Sequence, residues 1–473
     1  MNSQIIPIPT ETKTRLAKIV GPNGVIYELD EMLPYLHEER GLATGHADIV
    51  LRPNNVQEVS SVVQICAREK ISIVPVGGCT GLVGGTLANG GVVLATDRLD
   101  KIIQVDPLNN TITAESGCIL ANLQNAAAEN ECLFPLSLGA EGSCRIGGNL
   151  STNAGGVSVL RYGNTRDLVL GLEVVLPSGE IWNGLSTLRK DNTGYDLKQL
   201  FVGAEGTLGI ITKAVLKLFP APKVSTTVLV ALPQLEPILA LFSQTRELCG
   251  DRLTAFELIS RIGLELGSTH IPGIVDPFKT SYPFYALVEL TSAQKKDNLH
   301  NDIEQILENA LEDGIIMDAV FAESDAQRRE LWRIREEIPA AQSREGGSIK
   351  HDISVSVSNT VAFIMEASKR VSKVLPGIRP CPFGHIGDGN IHYNLTQPIG
   401  MPKEEFMSRS VEINRIVHDL VIEMKGSISA EHGIGFFKRE ELTHYASPTK
   451  ISLIRTIKQA IDPYNIMNPG KII

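Results

Sequence analysis

Two dense glycine-rich segments limit what this chain can fold into more than any other feature of its sequence. The first reads PVGGCTGLVGG over residues 75–85, and the second reads GSCRIGGN over 142–149 and continues as TNAGG over 152–156. Glycine permits positive φ and close approach of the backbone, so such segments can turn several N–H groups toward one anion. A single glycine pair usually marks only a tight turn. Two dense segments together favour a binding site for a pyrophosphate.

The common nucleotide-binding fingerprints do not occur in the sequence. There is no GxGxxG motif after a strand and no GxxxxGK[ST] motif, which disfavours a Rossmann site for NAD and a P-loop. The formal net charge of −10 disfavours nucleic acid as a partner, because acidic surface repels the phosphate backbone. The seven cysteines are scattered without a CxxC pair, so the sequence indicates neither a disulfide framework nor a zinc knuckle.

The distribution of strands and helices predicts several domains, as expected for 473 residues. The prolines at 220 and 222 end a strand at the point where the glycine clusters stop, and we place a domain boundary there. The predicted regions are an N-terminal segment (1–45), a first domain (46–222), a second α+β domain (223–410) and a C-terminal segment (411–473). Hydrophobic periodicity predicts, among others, helices over 56–69, 120–129, 324–344 and 404–425 and strands over 48–51, 71–76 and 92–95.

Histidines and a carboxylate in the C-terminal half predict a metal site. His385 and His392 flank a Gly-Asp-Gly-Asn turn, so the chain can reverse and bring both imidazoles to one ion. Glu431 offers a hard third ligand and precedes His432 in a glycine-rich segment. A lone histidine is usually structural, but this combination favours an ion with open positions for a substrate.

The glycine-rich segments, together with RYG at 161–163 and GAEGTLGIIT at 203–212, resemble the FAD-binding domain of the vanillyl-alcohol-oxidase (PCMH-type) flavoproteins. They are most similar to the branch of D-2-hydroxyglutarate and D-lactate dehydrogenases, over most of the chain from about residue 41. The resemblance implies an α+β fold. Its expected parts are a two-subdomain FAD-binding domain, a ferredoxin-like α+β substrate (cap) domain and a C-terminal helical segment.

The resemblance implies that FAD binds to the first domain. Both glycine-rich segments would wrap the pyrophosphate and ribityl chain, and residues 206–211 would line the adenine. Cys79 stands where relatives carry a small polar residue, and we expect the flavin to be bound non-covalently. The implied FAD-binding residues are Pro75, Gly77, Gly78, Cys79, Thr80, Gly81, Leu82, Gly139, Gly142, Ser143, Gly147, Gly148, Asn149, Thr152, Asn153, Gly155, Gly156, Glu205, Gly206, Gly209, Ile210, Ile211 and Asn468.

The same resemblance assigns chemistry to the histidine cluster. His385, His392 and Glu431 match the metal ligands of the family, and His432 matches its catalytic base. Mixed nitrogen and oxygen ligands favour Zn²⁺, with Mn²⁺ and Fe²⁺ as alternatives.

Basic residues between 335 and 350 predict a clamp for a substrate carboxylate. Arg335 lies in a charged helical segment, and Lys350 shares one strand face with Asp352. Arg335 and Lys350 match carboxylate-binding positions of the family, and Asn394 matches a residue that contacts the substrate. Pro339 stands where the family usually has Thr, which puts recognition of a second, distal carboxylate in doubt.

These residues predict an enzyme that oxidises a D-2-hydroxy acid. His432 would take the hydroxyl proton while hydride passes from C2 to flavin N5 and the ion stabilises the alkoxide. Two alternatives stay open: a metal-independent flavin oxidase or reductase of the same fold, and a flavin-free metal-binding protein or hydrolase. Besides the 2-hydroxy acid, the expected partners are an unidentified electron acceptor and a second copy of the chain, since most soluble oligomers are homo-oligomers.

The sequence also predicts where the protein resides. No apolar run approaches the roughly 20 residues of a spanning helix, and residues 1–20 lack the features of a signal peptide or a transit peptide. We expect a cytoplasmic protein, or at most one peripheral to a membrane.

Overall fold

The computed structural model describes residues 7–473, so the first six residues of the predicted N-terminal segment lie outside the described part. The chain forms two compact units. Unit 1 comprises the residues up to Gly156, Gly163–Ala221 and Glu431–Ile473. Unit 2 comprises Val157–Tyr162 and Pro222–Ala430.

The secondary structure mixes strands and helices in both units. The strands are β1 (Val25–Ile26), β2 (Ile49–Leu51), β3 (Ile73–Val76), β4 (Val92–Ala95), β5 (Ile102–Asp106), β6 (Thr111–Glu115), β7 (Cys132–Leu133), β8 (Val169–Val175), β9 (Ile181–Gly184), β10 (Ile210–Lys217), β11 (Phe219–Pro220), β12 (Val224–Leu232), β13 (Leu253–Ser260), β14 (Phe284–Ser292), β15 (Asp318–Phe321), β16 (Ser348–Ile349), β17 (Asp352–Ser354), β18 (Arg379–Gly384) and β19 (Asn390–Thr396). The α-helices are α1 (Thr10–Val20), α2 (Leu29–Leu36), α3 (Val56–Glu69), α4 (Leu120–Glu129), α5 (Ile146–Thr152), α6 (Val159–Tyr162), α7 (Thr165–Leu168), α8 (Lys198–Phe201), α9 (Ile238–Cys249), α10 (Arg261–His270), α11 (Leu299–Glu312), α12 (Asp325–Glu336), α13 (Ile338–Glu345), α14 (Thr360–Val374), α15 (Lys403–Ser408), α16 (Ser410–Glu423), α17 (Arg439–Tyr445) and α18 (Pro448–Ile461). From residue 7 onward, the helices include none with both the length and the apolar character needed to span a bilayer.

Unit 1 contains two main sheets. The first has the strand order β1-β2-β4-β3, with β4 parallel to both of its neighbours. Helix α3 buries Val59, Val62, Val63 and Cys66 in the core of this sheet, the spacing of an amphipathic helix, and Asn55 caps it by accepting the amide of Glu58. The second sheet is antiparallel, in the order β5-β6-β10-β8-β9.

Unit 2 is built on one antiparallel sheet in the order β15-β12-β14-β13-β18-β19-β16, with β17 also paired to β19. One face carries helices α10, α12 and α13, whose Leu264, Trp332 and Ile338 pack with Ile259 and Leu287 of the sheet. Strands β13, β18 and β19 lie side by side within this sheet. The candidate site residues of this unit lie on β19, on α12 and in the connections β16–β17 and β18–β19.

The structural division differs from the predicted domains at the C-terminal boundary. Apart from residues 157–162, which belong to unit 2, the chain passes from unit 1 to unit 2 after Ala221, next to the predicted boundary after residue 222. It returns to unit 1 after Ala430 and not after residue 410. Helix α16 explains the difference, because its buried Ile413, Val417 and Val421 form an apolar stripe and the helix packs on α14 in unit 2.

Proline 339 divides the helix that was predicted over 324–344. Helix α12 ends at Glu336 and α13 begins at Ile338, with Pro339 in its first turn. Proline lacks an amide hydrogen and clashes with the preceding turn, so it is tolerated at the start of a helix but not inside one. The predicted helix over 404–425 is likewise two helices, α15 and α16, which meet at Arg409.

Candidate active site

The two glycine-rich segments lie against each other in unit 1. The first follows β3, where β3 and its parallel neighbour β4 both end. A Cβ added to Gly78 would overlap the backbone carbonyl of Ser143, and one added to Gly77 would lie 3.6 Å from the Gly148 amide nitrogen. Gly78 could therefore not be replaced without moving the other segment, whereas the distance at Gly77 is an ordinary van der Waals contact.

The predicted FAD-binding glycines include two structural classes. Gly147, Gly156 and Gly209 are required by packing, because a side chain on any of them would overlap Ser116, Ser137 or Val174. The second class faces open space, with no protein atom within 4 Å of an added Cβ: Gly81, Gly139, Gly142 and Gly148. Ile210 and Ile211 are core residues of β10. The open glycines are the positions at which a ligand can approach the backbone.

Buried acceptors without partners fit a polar ligand at this surface. Within residues 7–473, Oδ1 of Asn149 and Oδ1 of Asn468 are buried and accept no hydrogen bond. Asn468 is held in place because its Nδ2 donates to the carbonyls of Gly85 at 3.0 Å and Glu205 at 2.7 Å. Leaving such acceptors dry costs free energy, so a ligand that donates hydrogen bonds is expected there. FAD, with its ribityl and ribose hydroxyls, meets this requirement.

Cys79 has a left-handed backbone, with a φ of 56°. Burial raises the pKa of its thiol to about 11, so the reactive thiolate is scarce at neutral pH. This agrees with the expected non-covalent flavin, which stays a prediction.

Glu205 holds the segment that carries the predicted base. Its buried carboxylate accepts the amides of Ile434 at 2.8 Å and Gly435 at 2.7 Å. Burial raises the pKa of Glu205, while these two amides oppose the rise. Glu431 of the same unit lies against the second glycine-rich segment, since a Cβ on Gly155 would overlap its carboxylate. Unit 1 thus holds Glu431 and His432 together with every predicted FAD-binding residue.

The predicted histidine turn is a β-hairpin of unit 2. Strands β18 and β19 pair with Phe383 opposite His392, and His385 begins the connection. Gly384 and Gly389 have φ values of 123° and 91°, which only glycine adopts readily. The two imidazole rings lie with their centroids 5.4 Å apart. The hairpin therefore brings His385 and His392 together.

Glu257 of β13 is a residue that the sequence analysis missed. Its Oε1 lies 2.7 Å from Nδ1 of His385, and its Oε2 accepts the Nε hydrogen of Arg335 at 2.7 Å. Burial alone would raise the pKa of Glu257, but the neighbouring His385 and Arg335 outweigh it and hold the pKa at about 2. The available signal was a single carboxylate inside the apolar strand LTAFELIS, which is costly unless paired.

Arg335 and Lys350 have different surroundings. Arg335 is buried, its guanidinium carbon lies 4.8 Å from the centre of the Phe383 ring, and its Nε is paired with Glu257. Among the described residues, none accepts a hydrogen bond from its two Nη groups, so these donors can still bind a ligand. Lys350 is half-buried in the short connection between β16 and β17.

Two further polar residues of unit 2, Asp352 and Gln342, contact the predicted site residues His392 and Asn394. Asp352 is buried, and its Oδ1 lies 3.9 Å from Nδ1 of His392 and accepts Nδ2 of Asn390 at 3.0 Å. Asn394 donates through Nδ2 to the buried Gln342 at 2.8 Å, and Gln342 in turn donates to Thr396. The side chain of Asn394 is therefore oriented by α13, the helix that contains Pro339.

A cavity of about 290 Å³ in unit 2 lies elsewhere, between residues 273–277 and 320–334. None of the predicted site residues lines it.

Two family models match the chain. Residues 47–184 match an FAD binding domain, and residues 221–472 match the C-terminal domain of FAD linked oxidases.

Relatives are similar over nearly the whole chain. A D-2-hydroxyglutarate dehydrogenase of Stutzerimonas stutzeri is 36% identical over 97% of both chains. One of Xanthomonas citri is 38% identical over 89% of this chain and 88% of its own length. The mitochondrial D-2-hydroxyglutarate dehydrogenase of Danio rerio is 36% identical over 91% of this chain and 79% of its own.

Solved structures are similar in fold. A substrate-bound p-cresol methylhydroxylase superposes with a TM-score of 0.75 at 17% identity, over 99% of this chain and 98% of its own. An alkyldihydroxyacetonephosphate synthase gives a TM-score of 0.74 at 18% identity, over 99% and 87%. These likenesses confirm the predicted α+β fold class.

Proposed function

We propose, from the premise that the chain belongs to the family of FAD-linked oxidases, that it oxidises a D-2-hydroxy acid to the corresponding 2-oxo acid. The predicted resemblance is confirmed by the family models and by relatives at 36–38% identity, and the protein is an FAD-linked oxidoreductase. One observation carries the choice of substrate class. Two relatives that match 89% and 97% of this chain are named D-2-hydroxyglutarate dehydrogenase.

A divalent ion is the second part of the proposal. His385, His392 and Glu431 are its proposed ligands, with Zn²⁺ preferred and Mn²⁺ and Fe²⁺ as alternatives. The 5.4 Å separation of the two imidazoles supports this assignment. So does Glu257, because a metal-binding histidine usually donates its other ring N–H to a carboxylate. When bound, FAD would accept the hydride and the ion would stabilise the alkoxide.

The side chains of the protein have distinct roles in this reaction. His432 takes the proton from the substrate hydroxyl, since an imidazole is a suitable general base near neutral pH. Arg335 binds the substrate carboxylate through its Nη groups while Glu257 holds its Nε. Lys350 contributes a second positive charge, and Asn394, fixed by Gln342, a polar contact.

Pro339 bears on the identity of the acid. A proline offers no hydroxyl to a distal carboxylate, and its position in the first turn of α13 leaves it no amide hydrogen either. D-2-hydroxyglutarate is supported by the names of the relatives, and D-lactate by this missing donor. The proposal is therefore a D-2-hydroxy acid of one of these two kinds.

A substrate screen with a chelator tests the proposal. Purified protein would be assayed with an artificial electron acceptor on D-2-hydroxyglutarate, D-lactate, D-malate and glycolate, before and after EDTA. We expect turnover of a D-2-hydroxy acid, its loss in EDTA with the flavin absorption unchanged, and its return with Zn²⁺ or Mn²⁺. Full activity in EDTA would instead indicate a metal-independent flavin oxidase, and a colourless protein would indicate a flavin-free one.

Cellular location and partners remain predictions. Mitochondrial relatives such as that of Danio rerio do not support the expected cytoplasmic location. We propose an electron acceptor other than the substrate, and a homodimer, on general grounds alone.

A further inference from the structure

We infer that Glu257 is a positioning residue, whose carboxylate fixes the imidazole of His385 and the guanidinium of Arg335 relative to each other. This inference rests on the proposed function, in which His385 binds the ion and Arg335 binds the substrate carboxylate.

The two oxygens of Glu257 are divided between these partners. Oε1 lies 2.7 Å from Nδ1 of His385, and Oε2 lies 2.7 Å from Nε of Arg335. All three side chains are buried, with 1% of the Glu257 side chain, 6% of that of His385 and 7% of that of Arg335 exposed. Water therefore does not compete for these hydrogen bonds, and one planar carboxylate sets the positions of two rigid groups.

The backbone around Glu257 is equally fixed. On one side, β13 pairs with β18, with Leu258 opposite Gly384. On the other side, β13 pairs with β14, with Glu257 opposite Leu287. Glu257 thus lies in the central strand of the sheet. The next residue, Leu258, pairs with Gly384, which directly precedes His385.

The contact determines the tautomer of His385 and the donors that Arg335 can offer to a ligand. Occupation of Nδ1 of His385 by Glu257 favours the tautomer with hydrogen on Nδ1, so that Nε2 presents a lone pair suited to a metal ion. Occupation of Nε of Arg335 leaves the two Nη groups to form a fork for a carboxylate. Glu257 would in this way connect an ion ligand with a substrate-binding residue.

Glu289 provides a matched control in the same sheet. It lies on the neighbouring strand β14, opposite Ala255, and is also buried. Its carboxylate accepts hydrogen bonds from Trp332 at 2.7 Å and Thr227 at 2.8 Å, neither of which is a predicted site residue. Glu289→Gln therefore shows the effect of losing a buried carboxylate that contacts no predicted site residue.

The test compares Glu257→Gln with Glu289→Gln in the full-length, FAD-loaded protein. Zn²⁺ affinity is measured by competition with a chromogenic chelator, and KM and kcat are measured on the preferred hydroxy acid. We expect Glu257→Gln to weaken Zn²⁺ binding by about 10- to 100-fold and to raise KM, with the FAD content unchanged. Glu289→Gln should lower thermal stability without changing the Zn²⁺ affinity or KM. Equal Zn²⁺ affinity in wild type and Glu257→Gln would overturn the inference.

A second variant covers the case in which Glu257→Gln fails to fold. Glu257→Gln combined with Arg335→Met removes both charges of the buried pair and keeps His385, so no unpaired charge is left inside. The double variant should show the same loss of Zn²⁺ affinity, and wild-type affinity in it would contradict the positioning role. If wild-type protein binds none of Zn²⁺, Mn²⁺ and Fe²⁺, or if His385→Ala leaves the affinity for the bound ion unchanged, the metal site of the proposed function itself fails.

Discussion

Lys471 is a buried positive charge close to the predicted flavin surface. Its Nζ donates to the carbonyl of Leu87 at 2.7 Å, and the side chain is almost fully covered. Burial lowers the pKa of Lys471 to about 8, assisted by Arg439 and opposed by Glu205. The protonated form of this residue is therefore less favourable in the folded chain than in the unfolded chain.

This leads to a pH-dependent prediction. Between about pH 8 and the ordinary lysine pKa of about 10.4, the unfolded chain retains a proton that the folded chain has lost. The free energy of unfolding of the flavin-free protein should thus rise with pH in this window, and Lys471 should account for about 3 kcal/mol of the rise. Chemical denaturation at pH 7.5 and pH 10 should show a smaller rise in Lys471→Met than in wild type. The exposed Lys450→Met is the control, and an identical rise in all three proteins would contradict the assignment.

His432 carries the proposed proton transfer. His432→Ala should lower kcat by about 10²- to 10⁴-fold, as expected for the loss of a general base. Flavin should stay bound, because the predicted FAD contacts do not include this side chain. Steady-state kinetics and the flavin absorption spectrum check both points, with the exposed His444→Ala as a control. Turnover close to wild type in His432→Ala would remove this residue from the mechanism.

At the scale of elements, the two glycine-rich segments act as one surface because they touch. The contact of Gly78 with Ser143 is between backbones, where no rotamer change can relieve an overlap, whereas Gly81 faces open space. The role of each glycine depends on which element lies opposite it.

These two glycines give a prediction with a built-in comparison. Gly78→Ala should destabilise the flavin-free protein, because the new methyl group would overlap the Ser143 carbonyl. Gly81→Ala should leave that stability within about 0.5 kcal/mol of wild type but weaken FAD binding, since its methyl group would enter the space proposed for the cofactor. Thermal unfolding and FAD titration separate the two effects. Equal stability of both variants would show that the segments are not packed as described.

At the scale of the whole molecule, the residues predicted for the chemistry belong to both units. Every predicted FAD-binding residue belongs to unit 1, as do Glu431 and His432, whereas Arg335, Lys350, His385, His392 and Asn394 belong to unit 2. Loss of a unit 2 side chain should therefore affect the ion and the substrate without removing the flavin.

His385→Ala tests this separation. The variant should keep the wild-type ratio of FAD to protein and lose Zn²⁺ binding and activity. The ratio is read from the absorption spectrum and the metal content from elemental analysis, with His300→Ala, an exposed residue of unit 2, as the control. Release of FAD from His385→Ala would show that flavin binding depends on the histidine hairpin.

Local signals explain what the sequence determined by itself. Helices α3 and α4 and strand β4 have the predicted bounds, because caps, periodicity and flanking turns lie within a few residues of each element. The glycine-rich segments and the histidine turn were equally visible, since their chemistry is encoded by neighbours in the chain.

Tertiary structure alone decided the contacts between distant residues. The sequence analysis missed strands β12 and β13 because β13 and the last six residues of β12 are buried on both faces, so they lack the alternation of apolar and polar residues that marks a half-buried strand. The boundary at residue 430 depends on α16 packing against α14. Glu257 contacts His385 and Arg335, which lie 128 and 78 residues away in the sequence. No local sequence pattern encodes such contacts. The physical reason is that burial and pairing of a charge are properties of the folded sheet and not of the segment that carries it.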